Sequence, residues 1–371
     1  MKGIYLTSYD LKDQSDGVVK KILSQIECFK RAGINMRIID RNCFPETFKL
    51  RIKIMNIIST TYITDFLYQY MVSNINLQEI DFIYIRKGFS NMIQINSLAK
   101  VKEINPKITI LMEIATYPYD EEFGGRRKLV TIPRDKKARK FLKKYVDRIV
   151  TYSKDKEIFG VKTINISNGI DYNRIQLKNN IEHQGVHLIA VAFFDYWHGY
   201  DRLINGMAKD IDLVKDNKVV FHLVGNGRAV DEYRQLVEKQ GLKDWVIFHG
   251  RTFGDELRKI YDQCDIGIDT LGRHRAGVYY NSTLKGKEYC AVGLPIISGV
   301  ETELDEMGYP FYYRVPADES LVLINDVIEF YKKMYENKKA EEVNLYIRET
   351  TMPKFNFYHT FNPIISYIKN R

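Results

Sequence analysis

Short apolar segments alternate with amphipathic ones along the first half of the chain. GIYLTS reads as a buried strand, and GVVKKILSQIECFKRAGI has the apolar period of a helix that ends at Gly33. The same alternation continues through the segments NMRIID, DFIYIR, SLAKVKEI, KITILMEI, DRIVTYS and TINIS. Strands separated by single helices are typical of a parallel sheet. The first half is therefore predicted to be an α/β domain.

The alternation lapses from Asp171 to Gly185, where the chain is polar and has no clear period, as a linker would. It restarts with strands at VHLIAVA, VVFHLVG, WVIFHG and DIGIDT and with amphipathic helices between them. We therefore predict two α/β domains, residues 1–178 and 179–354, and expect a ligand to bind in the cleft between them. Residues 355–371 are expected to form a terminal helix that packs back on the first domain.

The stretch NSTLKGKEYCAVGLPII, from Asn281 to Ile297, predicts a helix, a tight turn and a buried strand. If Ser282 is the N-cap, Glu288 falls on the same helix face as Leu284, Ala291 and Val292. An inward carboxylate needs a partner. One hypothesis is a ribose diol bound by Glu288, with a diphosphate at the helix start beside Lys285. The alternative is that Glu288 pairs with Lys285 or turns to the surface.

The positive charge of the chain is concentrated in its first half. The net charge is +9, but residues 1–180 carry 32 Lys and Arg against 19 Asp and Glu, a net of +13, whereas the remainder is −4. Residues Gly124 to Arg148 alone hold eleven Lys or Arg and two Asp. Such a segment attracts an anionic membrane, a phosphorylated acceptor or nucleic acid, unless it is only a solvated helical face.

A second segment of the first half bears on the membrane hypothesis. Its apolar positions recur at helical spacing, which fits either a core helix or a helix at a membrane interface. These positions are Ile63, Phe66, Leu67, Tyr70 and Met71. The surrounding stretch from Arg51 to Val72 contains charged residues, which argues against a membrane span. No targeting signal is visible at the N-terminus, so we expect a cytoplasmic protein.

The chain lacks the sequence motifs of several common classes of enzyme and metal site. Four cysteines without C-x-x-C spacing predict reduced, structural thiols, and H-E-x-x-H, G-x-S-x-G and Walker sequences do not occur. In LVGNGR, Gly225 and Gly227 are expected just past a strand, but Val230 replaces the third glycine of G-x-G-x-x-G. A nicotinamide dehydrogenase is therefore not expected. A close approach of this backbone to a ligand and an ordinary turn both stay open.

The segments ISNGID, WHGYDRLI, LVGNGR, VIFHGR and LKGKEYCAVGLPII occur in an order that resembles the retaining glycosyltransferases of family 4. SDGVVKKILSQIECFKRAG also resembles the N-terminal glycine loop and helix of that family, so the likeness covers nearly the whole chain. It implies the GT-B fold, in which two Rossmann-like domains face each other across a cleft and a C-terminal helix crosses back. It also implies a nucleotide sugar held by the second domain, an acceptor held by the first, and neither metal nor cofactor.

The resemblance assigns roles to particular residues. Glu288 matches the second acid of the family's Glu-x7-Glu motif, which holds the donor ribose. Gly17 matches the loop glycine near the donor phosphates, and Gly250 to Thr252 match the segment whose backbone contacts the base. The chain departs from the family where Tyr280 stands in place of the first acid, and where the Tyr84 to Lys87 neighbourhood replaces a frequent histidine.

The family's phosphate-binding arginine and lysine fall near Phe194 and His198, and neither is basic unless His198 is protonated. The diphosphate is therefore expected to meet Lys285, Arg228 or Arg251, with Arg273 and Arg275 nearby. The residues expected to bind the donor are Gly17, Trp197, His198, Gly225, Asn226, Arg228, Arg251, Thr252, Tyr280, Ser282, Thr283, Leu284, Lys285 and Glu288. The catalytic candidates are Glu288, Lys285, Arg86 and Glu113.

YIRKG, EIATYPYDEE, WHGYDRL and LKGKEY together resemble a subgroup from bacterial polysaccharide assembly, in which Glu113 and Tyr117 would line the acceptor side. The alternative is a strand-terminal acid and a core aromatic. The resemblance implies a hexosyltransferase that uses a UDP-sugar and a lipid-diphosphate-linked or saccharide acceptor in capsule or exopolysaccharide synthesis. It would be peripheral on the cytoplasmic membrane face, and a homodimer is left open. A non-catalytic GT-B partner of another glycosyltransferase is the alternative. Nucleic acid is not an expected partner, because no recognition motif accompanies the charge.

Overall fold

The computed structural model describes residues 1–13, 17–44, 61–122 and 127–371. The chain divides into two compact units. Unit 1 comprises Met1–Ile166 together with Thr360–Arg371, and unit 2 comprises Ser167–His359.

In the described part of unit 1, seven strands form one sheet in the order β2-β1-β3-β4-β5-β7-β6, with all neighbours parallel except β6 and β7. Strand β4 is buried along its whole length, as expected for a parallel sheet covered on both faces. The strands are β1 (Lys2–Leu6), β2 (Asn35–Ile39), β3 (Phe82–Arg86), β4 (Thr109–Ile114), β5 (Arg148–Thr151), β6 (Glu157–Ile158) and β7 (Val161–Asn165). The helices are α1 (Gly17–Arg31), α2 (Tyr62–Asn74), α3 (Met92–Ile104) and α4 (Ile132–Ala138).

Unit 2 contains an all-parallel sheet in the order β10-β9-β8-β11-β12-β13, which is the Rossmann order with a reversal between β8 and β11. The strands are β8 (Val186–Phe194), β9 (Val219–Gly227), β10 (Val246–Gly250), β11 (Ile266–Ile268), β12 (Ile296–Ser298) and β13 (Tyr312–Arg314). The helices are α5 (Tyr200–Lys209), α6 (Ile211–Asp216), α7 (Val230–Lys239), α8 (Gly254–Tyr261), α9 (Leu284–Val292), α10 (Glu303–Glu306), α11 (Ile324–Tyr335) and α12 (Ala340–Phe355), followed by α13 (Phe357–Lys369). The prediction of two Rossmann-like α/β domains is confirmed.

The unit boundaries fall after Ile166 and after His359, whereas the sequence placed them after residues 178 and 354. Residues 167–178, which the sequence assigned to the first domain, are tied into unit 2 by their backbone. Asn168 N donates to Ser282 Oγ (2.7 Å) and Lys178 N donates to Val292 O (3.0 Å). At the other end of the chain, Phe361 of α13 packs on Phe29 of α1 within unit 1, with ring centroids 5.2 Å apart.

Two local predictions are wrong. Gly225 and Gly227 lie inside β9, not past it, and at Gly225 a Cβ would stand 1.8 Å from Ala192 O, so the glycine is required by strand packing. In α2, Ile63, Leu67 and Met71 are buried in the core of unit 1, so the membrane-interface alternative is wrong for this helix. The basic residues upstream of it lie outside the described residues. Within the described ranges, none of the helices is both long and apolar enough to cross a bilayer.

A row of four imidazoles crosses three strands of unit 2. His222 on β9 contacts His187 on β8 (Nε2 to Nδ1, 3.1 Å) and His249 on β10 (Nδ1 to Nε2, 2.9 Å). The His183 ring is tilted against that of His187, with centroids 4.3 Å apart, and His183 Nε2 lies 3.3 Å from Asp265 Oδ1. Burial, followed by the neighbouring His187 and His249, lowers the pKa of His222 to about 3. His222 is therefore neutral in the folded protein at neutral pH.

This row predicts loss of stability in mild acid. An unfolded histidine has a pKa near 6.5, so between that value and about 3 the unfolded state binds more protons at position 222 than the folded state does. We expect the free energy of unfolding to fall by about 2 kcal/mol from pH 6.5 to 5 through this group. His222→Asn should flatten the fall in unfolding midpoint with pH, while His359→Asn, at an exposed histidine outside the row, should not. Equal pH slopes in all three proteins would contradict the prediction.

Candidate active site

Helix α9 begins one residue later than predicted. Thr283 is its N-cap, because Thr283 Oγ1 accepts from Gly286 N (3.2 Å) and donates to the fully buried Asp269 (2.7 Å). The predicted cap, Ser282, is unavailable because its hydroxyl accepts from Asn168 N. Gly293 ends the helix with a left-handed φ of 94°, as its position predicts.

The inward charge of α9 is Lys287 and not Glu288. Lys287 is fully buried, its Nζ lies 2.7 Å from Glu303 Oε2, and it covers the ring of Phe355 (4.3 Å). Leu284, predicted to be inward, is exposed, and Glu288 is half-buried. Helix α9 packs on nearly every side, so it has no single apolar face from which the sequence could set its rotation. Glu288 Oε1 accepts from Tyr261 OH (3.1 Å), so neither a pairing with Lys285 nor a fully exposed carboxylate is found.

Lys285 points toward the carboxyl end of β11. Its Nζ lies 3.3 Å from Thr270 Oγ1 and 3.8 Å from Asp269 Oδ1. Burial lowers the pKa of Lys285 to about 8, with Asp269 opposing and Arg273 adding to the shift. The side chain is therefore still mostly charged at neutral pH, in a place where water screens it little.

His198 and Arg273 belong to the same group of side chains. Both are buried, and both Lys285 and Arg273 act electrostatically on His198. Asp195 N donates to His198 Nδ1 (2.9 Å), which leaves the ring hydrogen on Nε2. Burial first, then the two cations, hold the pKa of His198 well below its usual range. His198 is therefore a neutral N–H donor, and the positive charge of this group comes from Lys285 and Arg273.

The other cationic candidates stand in different surroundings. Arg228 is 66% exposed and binds Asp195 through Nε (2.8 Å), with its guanidinium 5.7 Å from the Trp197 ring. Arg275 is held by Asp201 (2.7 Å) and Glu319 (2.6 Å), so carboxylates already neutralise it. Arg251 is exposed beside Phe253 (4.8 Å). The structure thus groups Lys285, Arg273 and His198, with Trp197 6.0 Å from Arg273.

The remaining predicted donor residues are more scattered. Tyr280 forms an isolated bridge with Glu301, and its hydroxyl lies 3.5 Å from Glu306, so acidic side chains surround the position where the family has its first acid. Asn226 is exposed at the end of β9, and Thr252 follows β10. Gly17 is the first residue of α1, in unit 1, where an added Cβ would meet nothing within 4 Å. Among the described residues, therefore, none imposes a steric need for glycine at position 17.

Unit 1 has its own pocket, of about 450 Å³, at the carboxyl ends of β1, β3 and β4. Arg86 lines it, whereas Tyr117 and the fully buried Glu113 are not among its lining residues. The pocket is lined by Ser8, Tyr9, Arg41, Thr64, Arg86, Lys87, Gly88, Phe89, Ile114, Ala115, Thr116, Tyr119 and Glu122.

Glu113 is fully buried behind this pocket and anchors a polar network. Its carboxylate pairs with Arg86, lies 3.6 Å from Lys21 Nζ, and accepts hydrogen bonds from three neutral side chains. These donors include Gln25 Nε2 (2.8 Å), Tyr84 OH (2.7 Å) and Tyr152 OH (3.0 Å). Burial alone would raise the pKa of Glu113. The positive charges of Arg86 and Lys21 outweigh this effect and lower the pKa to about 2. Glu113 is thus a permanently charged residue that positions Arg86.

Two buried charged residues of unit 1 were not predicted from the sequence. Lys21 stands on the buried face of α1, where burial lowers its pKa to about 7 against the opposing effect of Glu113. Asp135, within the basic segment, is fully buried and accepts from Ser90 N (2.6 Å), Lys87 Nζ (3.0 Å) and Tyr119 OH (2.5 Å). The available signal was their spacing: Lys21 lies one turn from Gln25, and Asp135 lies between Ile132 and Ala138 on the inward side.

Comparisons with known proteins agree with this architecture. Residues 171–304 match the family model of the glycosyl transferases group 1, a range that includes β8 to β12 and α9. No curated protein sequence matches the chain significantly. Among solved structures, a glycosyltransferase from Rickettsia africae is 12% identical, with a TM-score of 0.68. The alignment covers 100% of this chain and 98% of that one.

Two further structures are similar over the full length. Sucrose-phosphate synthase from Thermosynechococcus elongatus is 14% identical with a TM-score of 0.70, covering 100% of this chain and 98% of that one. Anabaena HepE in complex with UDP is 15% identical with a TM-score of 0.63, covering all of both chains. The two Rossmann-like units therefore define the GT-B fold. With the group 1 domain in unit 2, the protein is a glycosyltransferase.

Proposed function

We propose that the protein transfers a hexose from a UDP-sugar with retention of configuration, as the family 4 enzymes it resembles do. The observation that carries the proposal is the group formed by Lys285, Arg273 and the Nε2–H of His198 beside the first turn of α9. Two cations, a neutral donor and the backbone N–H groups of a helix start suit a diphosphate. HepE, which shares the fold, was solved with UDP, and this supports the choice of base.

In this proposal the chain's own residues supply what the leaving group needs. The bond between the sugar C1 and the diphosphate oxygen breaks, and the electron pair remains on that oxygen. Lys285 and Arg273 stabilise the growing charge, which favours the transition state over the ground state. The acceptor hydroxyl attacks C1 from the same face, and its proton passes to the departing oxygen. Because side chains supply the counter-charge, we propose a metal-independent reaction.

Glu288 is proposed to bind the ribose of the donor. Its carboxylate is half-buried, and its contact with Tyr261 OH uses Oε1 at 3.1 Å. A carboxylate at this depth, one turn inside a helix whose start holds the phosphates, is well placed to accept hydrogen bonds from a vicinal diol. Tyr261 then orients the carboxylate.

A panel of sugar nucleotides tests the proposal. We expect a UDP-sugar to raise the unfolding midpoint of the purified protein, because a ligand that binds only the folded state stabilises it. The same donor should be hydrolysed slowly to UDP and free sugar without an acceptor. Binding without any release of UDP would instead favour a non-catalytic GT-B partner, and no stabilisation by any sugar nucleotide would refute the donor site.

The affinity for UDP should fall in alkali. Lys285 has a pKa of about 8 in the free protein, so it is charged below that value and loses its charge above it. We expect the Kd for UDP to be nearly constant from pH 6.5 to 7.5 and to rise toward about tenfold per pH unit above pH 8. Isothermal titration in the wild type and in Lys285→Arg checks this, because arginine stays charged throughout the range. An equally steep rise in Lys285→Arg would show that another group titrates.

The acceptor is proposed to be lipid-linked and to be reached at the cytoplasmic face of the membrane, in assembly of a capsule or exopolysaccharide. The support lies in the basic segment of unit 1. Its inward side is formed by Ile132, Asp135, Ala138 and Leu142, which are buried. Leu129, at the segment's start, is 78% exposed. The exposed basic residues are Arg134, Lys136, Lys137, Lys140, Lys143 and Lys144.

This surface predicts binding to anionic membranes. An exposed leucine beside several lysines combines an apolar anchor with attraction to acidic lipids, each basic residue contributing about 1 kcal/mol near the surface. We expect the protein to sediment with phosphatidylglycerol vesicles and not with phosphatidylcholine vesicles. Leu129→Asp and Lys137→Glu should each weaken sedimentation several-fold, and Lys259→Glu, on α8 of unit 2, should not. Equal sedimentation of all variants would contradict the membrane proposal.

A further inference from the structure

The pocket of unit 1 lies where its sheet reverses direction. Strand β1 has β2 on one side and β3 on the other, and the pocket is walled by residues that follow β1, end β3 and follow β4. In open α/β sheets, ligands bind outside the carboxyl ends of the strands at such a reversal. A volume of about 450 Å³ is large enough for a hexose with one charged substituent.

The charge of the pocket is uneven. Among the described residues that line it, Arg41, Arg86 and Lys87 are cationic, and Glu122 is the one carboxylate. Lys87 donates to Tyr119 OH (2.9 Å), to Asp135 (3.0 Å) and to the backbone, so its charge contributes but its hydrogens are engaged. Arg41 is exposed and donates to Ser8 O through Nε (2.5 Å).

Arg86 is the residue that can recognise an anion directly. Its side chain is only 7% exposed, and Glu113 holds it through Nη1. In the part of the chain that the structure describes, Nη1 makes the one hydrogen bond of this guanidinium, so the edge formed by Nε and Nη2 is not used by those residues. A guanidinium fixed by a buried carboxylate, with its second edge available, matches the geometry of a phosphate or carboxylate.

We propose that this pocket binds an oxyanion, a phosphate or a carboxylate, carried by the acceptor, and that the Nε–Nη2 edge of Arg86 is its main ligand. The inference rests on the proposed function, because it names the chemistry of the molecule that receives the sugar. Thr64 and Thr116 offer hydroxyls to the same group, and the rings of Tyr9 and Tyr119 provide apolar walls for a sugar. Glu113 is a positioning residue for Arg86.

Isothermal titration with small acceptor fragments tests the proposal. The probes are inorganic phosphate, glucose 1-phosphate, glucuronate and glucose, each added in the presence of saturating UDP so that the diphosphate site of unit 2 is filled. Glucose 1-phosphate or glucuronate should bind at least about tenfold more tightly than glucose. The tighter of the two identifies the group as phosphate or carboxylate, and either result supports an oxyanion site.

Variants locate the binding. Arg86→Lys keeps a cation for Glu113 but removes the second edge, so we expect the Kd for the tighter probe to rise about tenfold with the unfolding midpoint unchanged. Arg41→Gln leaves the Glu113 network intact and should raise the Kd a few-fold, which keeps the test decisive if Arg86→Lys folds poorly. Arg31→Gln is the matched control, since Arg31 is an exposed residue of α1 that pairs with Glu27.

Glucose binding as tightly as both charged probes, or both charged probes binding the pocket variants as they bind the wild type, would overturn the proposal. Failure of the donor assignment gives a different result, because then UDP itself does not bind. In that case the titrations are repeated on Lys285→Ala, in which the cationic group of unit 2 is weakened. An effect of Arg86→Lys in that background still supports the oxyanion pocket.

Discussion

Replacing Lys285 with alanine should lower kcat/KM for sugar transfer by about 10²- to 10³-fold, equivalent to about 3–4 kcal/mol of transition-state stabilisation. The reason is that Lys285 is a half-buried cation beside the helix start proposed to receive the diphosphate, in a site where charge is poorly screened. The fold should survive, because Asp269 keeps its hydrogen bonds from Thr283 (2.7 Å) and Ser298 (3.4 Å). Steady-state kinetics with the donor found in the sugar-nucleotide panel measure the loss.

The matched control is Lys259→Ala, which removes an exposed lysine from α8 of the same unit. It should leave kcat/KM and UDP affinity within about twofold of the wild type. If Lys285→Ala retains full turnover, the assignment of the diphosphate to this group is wrong. A loss of activity that is accompanied by a large drop in unfolding midpoint would place Lys285 in the structural framework instead of the site.

Replacing Lys287, two residues further along α9, should lower the stability of the protein and leave UDP binding nearly unchanged. Lys287 is fully buried and pairs with Glu303 at 2.7 Å, so Lys287→Ala leaves a largely buried carboxylate, 13% exposed, without its counter-charge. Breaking such a pair costs about 3–5 kcal/mol, and we expect the unfolding midpoint to fall by roughly 10 °C. At temperatures where the variant is folded, UDP affinity should stay close to that of the wild type.

A double variant separates charge from packing in this prediction. Lys287→Met with Glu303→Leu removes both charges and refills their volume, so it should recover most of the lost stability. Thermal unfolding monitored by circular dichroism compares the single and double variants. If Lys287→Ala is as stable as Lys259→Ala, the pair does not hold α9 in place.

Lys285 and Lys287 show which features of α9 can be predicted from the sequence and which cannot. Periodicity, caps and terminal glycines were enough to predict alternating strands and helices, two α/β domains and the end of α9 at Gly293, because these depend on neighbours along the chain. The rotation of α9 about its axis was not predictable, because the helix is packed on nearly every side. The N-cap is Thr283, which is held by the distant Asp269, while the hydroxyl of Ser282 bonds to the distant Asn168.

The same limit applies to the charged residues of unit 1. The basic segment is visible in the sequence, but the inward turn of Asp135 depends on Tyr119, 16 residues away, and on Lys87, 48 residues away. Likewise, Glu113 at the end of a strand had two open interpretations, and burial among Arg86, Lys21 and Tyr84 selected a positioning role.

The sequence by itself determined the fold class, the domain count and the helix start at which a diphosphate is expected, since each follows from patterns of local range. Only the tertiary structure decided which cations share a site. Lys285, Arg273 and His198 come from separate segments, and the segments that follow the parallel strands β8 and β11 are joined by a hydrogen bond from Leu271 N to His198 O (2.7 Å). The tertiary structure also decided that His198 is neutral, because its pKa depends on burial and on charges that the chain brings from far away.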